Sequence, residues 1–274
     1  MNAQFEIAGG SVVGREHTAA GRNNQDAYCW SRTPELTVAV VADGCGSGAH
    51  SEVGARLGVR LVVESIRARS ERLRSEPPDE VLERVRLDVL AQLRVLANAM
   101  GGSFSQVVGD YLLFTVVGFV LTPSRSFGFS LGDGVAAING RTEVLRFSAN
   151  QPPYLAYALT GSTLTDSDPS ALRFQVRWSV PTGEVESLLI GTDGAADIDD
   201  AADRRRAGRG EPAGPLCQFW EDDRCFRNPY TIGRRLALLN RESIQPDWDG
   251  RTLNREHGLL PDDTALVVLR RSKE

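Results

Sequence analysis

The sequence predicts an α+β protein whose strands pair antiparallel. Three observations carry this reading. Short strand-like runs follow one another with only turns between them. Two long segments of helical period sit together between residues 51 and 100, not alternating with strands as in a doubly wound sheet. Acidic residues recur beside the strand-like runs, each followed by glycine or a polar turn.

Taken in order, Phe5 to Val13 reads as a first strand, and Gly14 to Asn24 as a polar loop rich in Arg, His and Asn. Ala27 to Ser31 and Leu36 to Ala42 form a hairpin-like pair. The period then becomes helical. Val53, Leu57, Leu61 and Ser65 share one face of a helix over 51–69, with Val62 and Ile66 beside it. A second helix runs over 78–100 on a stripe of Val81, Val85, Val89, Leu93 and Leu96. Asp79 is its expected N-cap, and Gly101-Gly102 ends it.

Tyr111 to Leu121 reads as a buried strand. Phe127 to Leu131 and Val135 to Asn139 flank Gly132-Asp133-Gly134, and Asn139-Gly140 is a hairpin turn into a strand over 143–147. Over Leu172 to Val180 strict alternation puts Phe174, Val176 and Trp178 on one face. Strands over 187–192 and 265–270 complete the set. Residues 199–215, with Arg204-Arg205-Arg206 and repeated Gly and Pro, read as a mobile loop, and 229–239 as a helix. Residues 245–257 look irregular. No repeat or linker divides the chain, so the expectation is one domain over 1–274 with a flap-like insertion at about 199–229.

The 274 residues are 41% hydrophobic and 24% charged, enough for a substantial core. A net charge of −5 argues against nucleic acid or an acidic membrane as partner. Basic charge is almost all Arg, with Lys273 the single lysine, a bias that hints at a GC-rich bacterial genome. The four cysteines, Cys29, Cys45, Cys217 and Cys225, form no CxxC pair, so a zinc site is poorly supported. No signal peptide or membrane span is apparent, and the expectation is a reduced, cytoplasmic protein.

Four acidic stretches carry the chemistry: Asn24-Gln25-Asp26-Ala27, Asp43-Gly44-Cys45-Gly46, Thr192-Asp193-Gly194 and Pro261-Asp262-Asp263-Thr264. Carboxylates at strand ends can converge at one edge of a sheet. Brought close, they repel strongly unless a cation lies between them. Divalent metal ions are the natural answer, because hard cations prefer oxygen. Any single Asp-Gly is an ordinary turn; the set together points to metal. Asp262 and Asp263 are neighbours on an extended segment and point opposite ways, so one ligates and the other holds the loop.

With Leu131-Gly132-Asp133-Gly134 added, the ordered motifs resemble the metal-dependent type 2C protein phosphatases, most of all their compact bacterial branch, over roughly residues 8 to 270. The resemblance implies a four-layer αββα sandwich of two antiparallel β-sheets flanked by helices. It implies two Mn²⁺ or Mg²⁺ ions, with Asp26 on one metal, Asp43 bridging, the Gly44 carbonyl completing the site, and Asp193 and Asp262 on the other. Asp262 is the ligand by family register, leaving Asp263 to the loop. Asp133 and Asp197 match positions that help hold a third, weaker metal. The chemistry would be in-line attack on phosphorus by a hydroxide shared between metals about 3.5–4 Å apart, on phosphoserine or phosphothreonine of a protein substrate, opposed by a cognate Ser/Thr kinase.

Three departures stand out. Cys45 occupies the place where many members carry a His general acid; His17 and His50 are the candidate substitutes. Gly21 occupies the place of a phosphate-binding Arg, with Arg22 next to it and Arg15 nearby. Gln25 stands where an acidic residue is common. The departures keep two rivals open: a catalytically weak phosphoprotein-binding module, and a hydrolase of small phosphate esters.

Overall fold

The computed structural model describes residues 4–148, 151–161 and 169–272. Its strands are β1 (Phe5–Val12), β2 (Asp26–Arg32), β3 (Thr37–Asp43), β4 (Val116–Leu121), β5 (Arg125–Leu131), β6 (Gly134–Ile138), β7 (Arg141–Leu145), β8 (Gln175–Pro181), β9 (Ser187–Gly191), β10 (Ser243–Asp247), β11 (Thr252–Glu256) and β12 (Thr264–Arg271). The principal helices are α1 (Arg15–Ala19), α2 (Ser51–Arg67), α3 (Pro78–Met100), α4 (Phe104–Tyr111), α5 (Ala196–Asp200), α6 (Gln218–Glu221), α7 (Arg224–Arg227) and α8 (Thr231–Leu239).

Two five-stranded sheets form, in the orders β1-β12-β9-β6-β7 and β2-β3-β4-β5-β8. Every pairing within them is antiparallel. They stack face to face, and helices cover both outer faces. Period-two alternation decides which layer each side chain enters. On β3, Val38, Val40 and Ala42 join the core under α2 and α3, while Ala39 and Val41 enter the core between the sheets. On β12, Leu266 and Val268 join the core under the outer helices, while Val267 and Leu269 face the other sheet. Central strands buried on both faces therefore read as continuous apolar runs rather than alternating ones.

Several elements differ from the sequence reading. The buried face of α2 is Ala55, Val59, Val62, Val63 and Ile66, with Val53, Leu57 and Leu61 at its margins. Pro77 precedes α3, Pro78 takes its first position, and Asp79 lies in the first turn without a capping bond. Proline presets the helical dihedral there and needs no cap for a missing N–H. Tyr111 ends helix α4, and the strand after it begins only at Val116. Residues 243–256 are an ordered two-stranded hairpin, β10–β11. Its exposed side chains gave no apolar alternation to read.

The β8 reading fails for a physical reason. Gly128 pairs with Trp178 but Phe129 pairs with Val176, so Arg177 is an extra residue in the ladder. One inserted residue flips all later side chains to the opposite face. Phe174 and Val176 accordingly pack under the helices, and Trp178 and Val180 between the sheets. The displaced Arg177 donates from Nε to Ser130 Oγ at 2.8 Å.

Residues 199–229 are largely tied to the outer layer. Ala201, Ala213, Leu216, Phe219 and Cys225 are buried in the core over the first sheet. Its longest exposed runs before α6 are 203–205 and 208–212.

Phe119 lies fully buried between the sheets. Phe119→Ala is expected to cost about 3–5 kcal/mol of stability; a chemical-denaturation midpoint compared with wild type checks this.

Candidate metal centre and active-site cavity

Antiparallel pairing is what gathers the carboxylates. Asp26 opens β2 and Asp43 closes β3, and the two face each other as register partners. Asp193 lies just beyond the β9 end, after Thr192, and Asp262 precedes the β12 start, and β9 and β12 are also antiparallel neighbours. Each pair therefore lies at a shared strand edge, on facing sheets.

Asp133 arrives by another route. β5 belongs to one sheet and β6 to the other, so Gly132-Asp133-Gly134 carries the chain between sheets at that edge. Gly132 has φ +92 and Gly134 φ +140. A Cβ on Gly134 would lie 2.7 Å from both the Gly191 carbonyl and Val117. Only glycine combines those dihedrals with that approach.

The cavity so formed measures about 260 Å³ and is bordered by Asp43, Asp133, Asp193 and Asp262, together with Gly44 and His17. Asp197 sits on α5 in an adjoining depression that also touches Asp133 and Asp193. Asp26 lies behind, only 4% exposed. Its Oδ2 accepts from Thr192 Oγ1 at 2.5 Å, while its Oδ1 is buried without a hydrogen-bond partner. Asp133 Oδ1 is likewise unpartnered. Gly44 is constrained by its surroundings: a Cβ there would come within 2.9 Å of the Gln25 carbonyl and the Ser51 backbone.

Burial and mutual repulsion raise these carboxyl pKa values. Asp26 and Asp43 are pushed well above the usual carboxylate range, first by desolvation and then by neighbouring aspartates. Asp193 is pushed up to about 7 by desolvation and by Asp262 and Asp133. Asp133, Asp197 and Asp262 shift upward mainly through desolvation. Unit charges about 4 Å apart repel by about 4 kcal/mol at an effective dielectric of 20. Orphaned carboxylate oxygens in an all-oxygen, anionic cavity fit hard divalent cations.

Asp263 has a different job. It is 2% exposed, and its two oxygens accept from the Gly14 N–H at 2.6 Å and the Gln25 N–H at 2.5 Å. It thereby ties the loop before β2 to the start of β12. His17 Nδ1 lies 2.8 Å from Asp263 Oδ2, without hydrogen-bond alignment, and His17 Nε2 is 3.9 Å from Asp262. The donor atoms of His17, Asp262 and Asp263 fall within 4.8 Å of one another.

The remaining candidates divide. His50 is exposed, packs 5.1 Å from the Tyr111 ring, and does not border the cavity. Arg15 donates to the Gly258 carbonyl at 2.8 Å, on another side of α1. Arg22 is exposed and donates to the Gly46 carbonyl at 2.5 Å, which holds it at the cavity rim. Gln25 is buried and borders the cavity.

Sequence reasoning missed Tyr154. It borders the cavity beside Cys45, and burial and contact with that thiol hold its hydroxyl protonated. It comes from the connection between β7 and β8, where no pattern marks it. Thr192, bonded to Asp26, was signalled by its place before Asp193.

A family model described as protein phosphatase 2C matches residues 13–221. The structure resembles a bacterial serine phosphatase with a TM-score of 0.53 at 14% identity, covering 98% of this chain and 99% of that one. A point variant of a bacterial serine phosphatase gives 0.54 at 14% identity over 98% and 99%. At such identity the likeness is one of fold, and that fold is two stacked antiparallel sheets with helices outside. No curated protein matches.

The Asp193 shift sets a pH dependence. Its folded pKa, about 7, exceeds the ordinary 3.8, so the folded state binds more protons than the unfolded one between those values. The stability this gives is complete below about pH 3.8 and is lost as pH rises through about 7. Protein stripped with EDTA is expected to lose thermal stability across that window more steeply than Asp193→Asn does. Melting temperatures of both proteins against pH check this.

Proposed function

Because this chain belongs to the protein phosphatase 2C family, we propose that it hydrolyses phosphoserine and phosphothreonine in proteins, using divalent ions held at the carboxylate edge. The convergence of Asp26, Asp43, Asp133, Asp193 and Asp262 on one edge, with buried oxygens left unpartnered, carries the reading. A module that only bound phosphoproteins would have no use for so much uncompensated negative charge, which would also repel a phosphate. Family membership and the intact carboxylate set therefore favour the enzyme over the two rivals.

In this reading Asp26, Asp43, Asp193 and Asp262, with the Gly44 carbonyl, hold two Mn²⁺ or Mg²⁺ ions, and Asp133 and Asp197 serve a third. When bound, such ions lower the pKa of water towards neutrality and offset charge on phosphoryl oxygens. The protein's own groups do the rest. Thr192 fixes the Asp26 carboxylate. Arg22, at the rim, meets the incoming phosphate. His17 packs its Nδ1 side against Asp263, and its Nε2 side faces Asp262 and the cavity. His17 then protonates the departing serine or threonine oxygen, taking the place left by Cys45.

The substrate is a phosphoprotein, and its natural counterpart is a Ser/Thr kinase. Among the described residues no helix is long and apolar enough to cross a membrane. The four free cysteines support a reducing compartment such as the cytoplasm.

Purified protein with Mn²⁺ or Mg²⁺ is expected to release phosphate from a phosphothreonine peptide, and EDTA to stop it. Asp43→Asn is expected to lower kcat at least about a thousandfold, the equivalent of about 4 kcal/mol of transition-state stabilisation. No release from folded wild-type protein with either metal would move the assignment to a phosphoprotein-binding module.

The proton donor has its own signature. His17→Gln is expected to lose about a hundredfold on the phosphothreonine peptide, whose alkoxide is a poor leaving group. It should lose far less on p-nitrophenyl phosphate, whose leaving group needs no proton. Tyr154→Phe, measured alongside, identifies the phenol as donor if it shows that split and His17→Gln does not.

A further inference from the structure

Away from the carboxylate edge, the segment 204–210 borders a concavity of about 610 Å³. Four arginines line it, Arg204, Arg205, Arg206 and Arg209, against one carboxylate, Glu256. In a chain of net charge −5 this is a local reversal of sign. Arg206 is taken up by Glu211, and Glu256 accepts from the Gly208 N–H at 2.7 Å. Arg204, Arg205 and Arg209 make no ion pair among the described residues. Like charges held together with too little counter-charge cost free energy, so three guanidiniums outside any ion pair round a hollow with one lining carboxylate are an arrangement that an anion would relieve.

The backbone presenting them is fixed by hydrogen bonds. Ala213 N–H donates to the Arg204 carbonyl at 2.9 Å, and Arg206 N–H to the Glu211 carbonyl at 2.8 Å. Arg205 and Pro212 form a bridge, and the Gly208 bond clamps the tip to β11. A preorganised array loses little entropy on binding.

The hollow adjoins a further depression on the side of α1. His257 borders both the hollow and this depression of about 440 Å³, whose lining includes Arg15, Glu16 and Thr18 of α1 and the pair Glu242 and Arg255. His17, between Glu16 and Thr18, borders the catalytic cavity. A chain with its phosphoresidue at the carboxylates can therefore lay a flank across α1 towards the arginines. Guanidinium groups pair bidentately with carboxylates and phosphates.

We propose that the Arg204–Arg209 hollow docks an acidic or additionally phosphorylated segment of the protein substrate, flanking the residue being hydrolysed. This rests on the phosphoprotein reading above, and the two are separable by experiment. Binding of a fluorescent phosphothreonine peptide with an Asp/Glu-rich flank, read by anisotropy, needs no turnover; p-nitrophenyl phosphate hydrolysis reads the centre alone. The triple variant Arg204→Glu/Arg205→Glu/Arg209→Glu is expected to weaken the acidic-flank peptide at least about tenfold and to flatten the salt dependence of its binding. Hydrolysis of p-nitrophenyl phosphate should stay unchanged, which also shows that the variant is folded. Arg→Gln at the same positions should give an intermediate loss. Equal binding of the acidic-flank peptide by wild type and variant, or equal wild-type binding of a Lys-rich-flank peptide, would overturn the proposal. So would tighter wild-type binding of a short oligonucleotide than of the peptide. Wild type that binds the acidic-flank peptide through these arginines but hydrolyses neither substrate would sink the phosphatase reading and leave the docking site standing.

Discussion

Mutual repulsion among clustered carboxylates is the constraint around which this protein is built. Five reach one edge of a two-sheet sandwich, Asp26 and Asp133 buried, Asp43 and Asp193 half-buried and Asp262 at the exposed lip. Left alone, they resist ionisation, as the upward shifts of Asp26, Asp43 and Asp193 record. A cation-bearing site reverses that balance. The local features that would otherwise look like poor folding choices serve to hold the carboxylates in place: glycines at strained or crowded positions, buried oxygens without partners, and a sheet-to-sheet crossing at Asp133.

The scaffold meets this cost by making everything behind the edge rigid. The central strands bury both faces, and the inter-sheet core is apolar from Phe5 to Leu269. Asp263 closes the arrangement. It resembles its neighbour Asp262 in chemistry, yet its two oxygens are spent on backbone N–H groups. One aspartate is thus free for chemistry because the next one secures the loop. The same bond network places α1, and with it His17, against the cavity.

Much of the site was legible because the strand ends are written locally. Asp26, Asp43, Asp193 and Asp262 each adjoin an apolar run, and antiparallel pairing turns that arrangement into proximity. Period two separates Asp262 from Asp263, the family resemblance picks Asp262 as ligand, and the backbone bonds of Asp263 match that division. Tyr154 was not legible, since a residue in an irregular connection leaves no periodic trace. No local pattern separates His17, the sequence's choice of proton donor, from His50; a five-residue helix brings the first into the cavity, while the other packs on Tyr111 just before α2. On β8, one bulged residue overrode an alternation that looked unambiguous.

By itself the sequence determined most strands of the two sheets, the two long helices, the antiparallel character and the carboxylate set, because these depend on periods and turn chemistry within a few residues. It did not determine that β5 and β6 lie in different sheets, that residues 243–256 pair as a hairpin, or that much of 199–229 packs down while its arginines face a hollow. Those outcomes depend on contacts between residues far apart in the chain, and only the closing of the two sheets on each other selects among them.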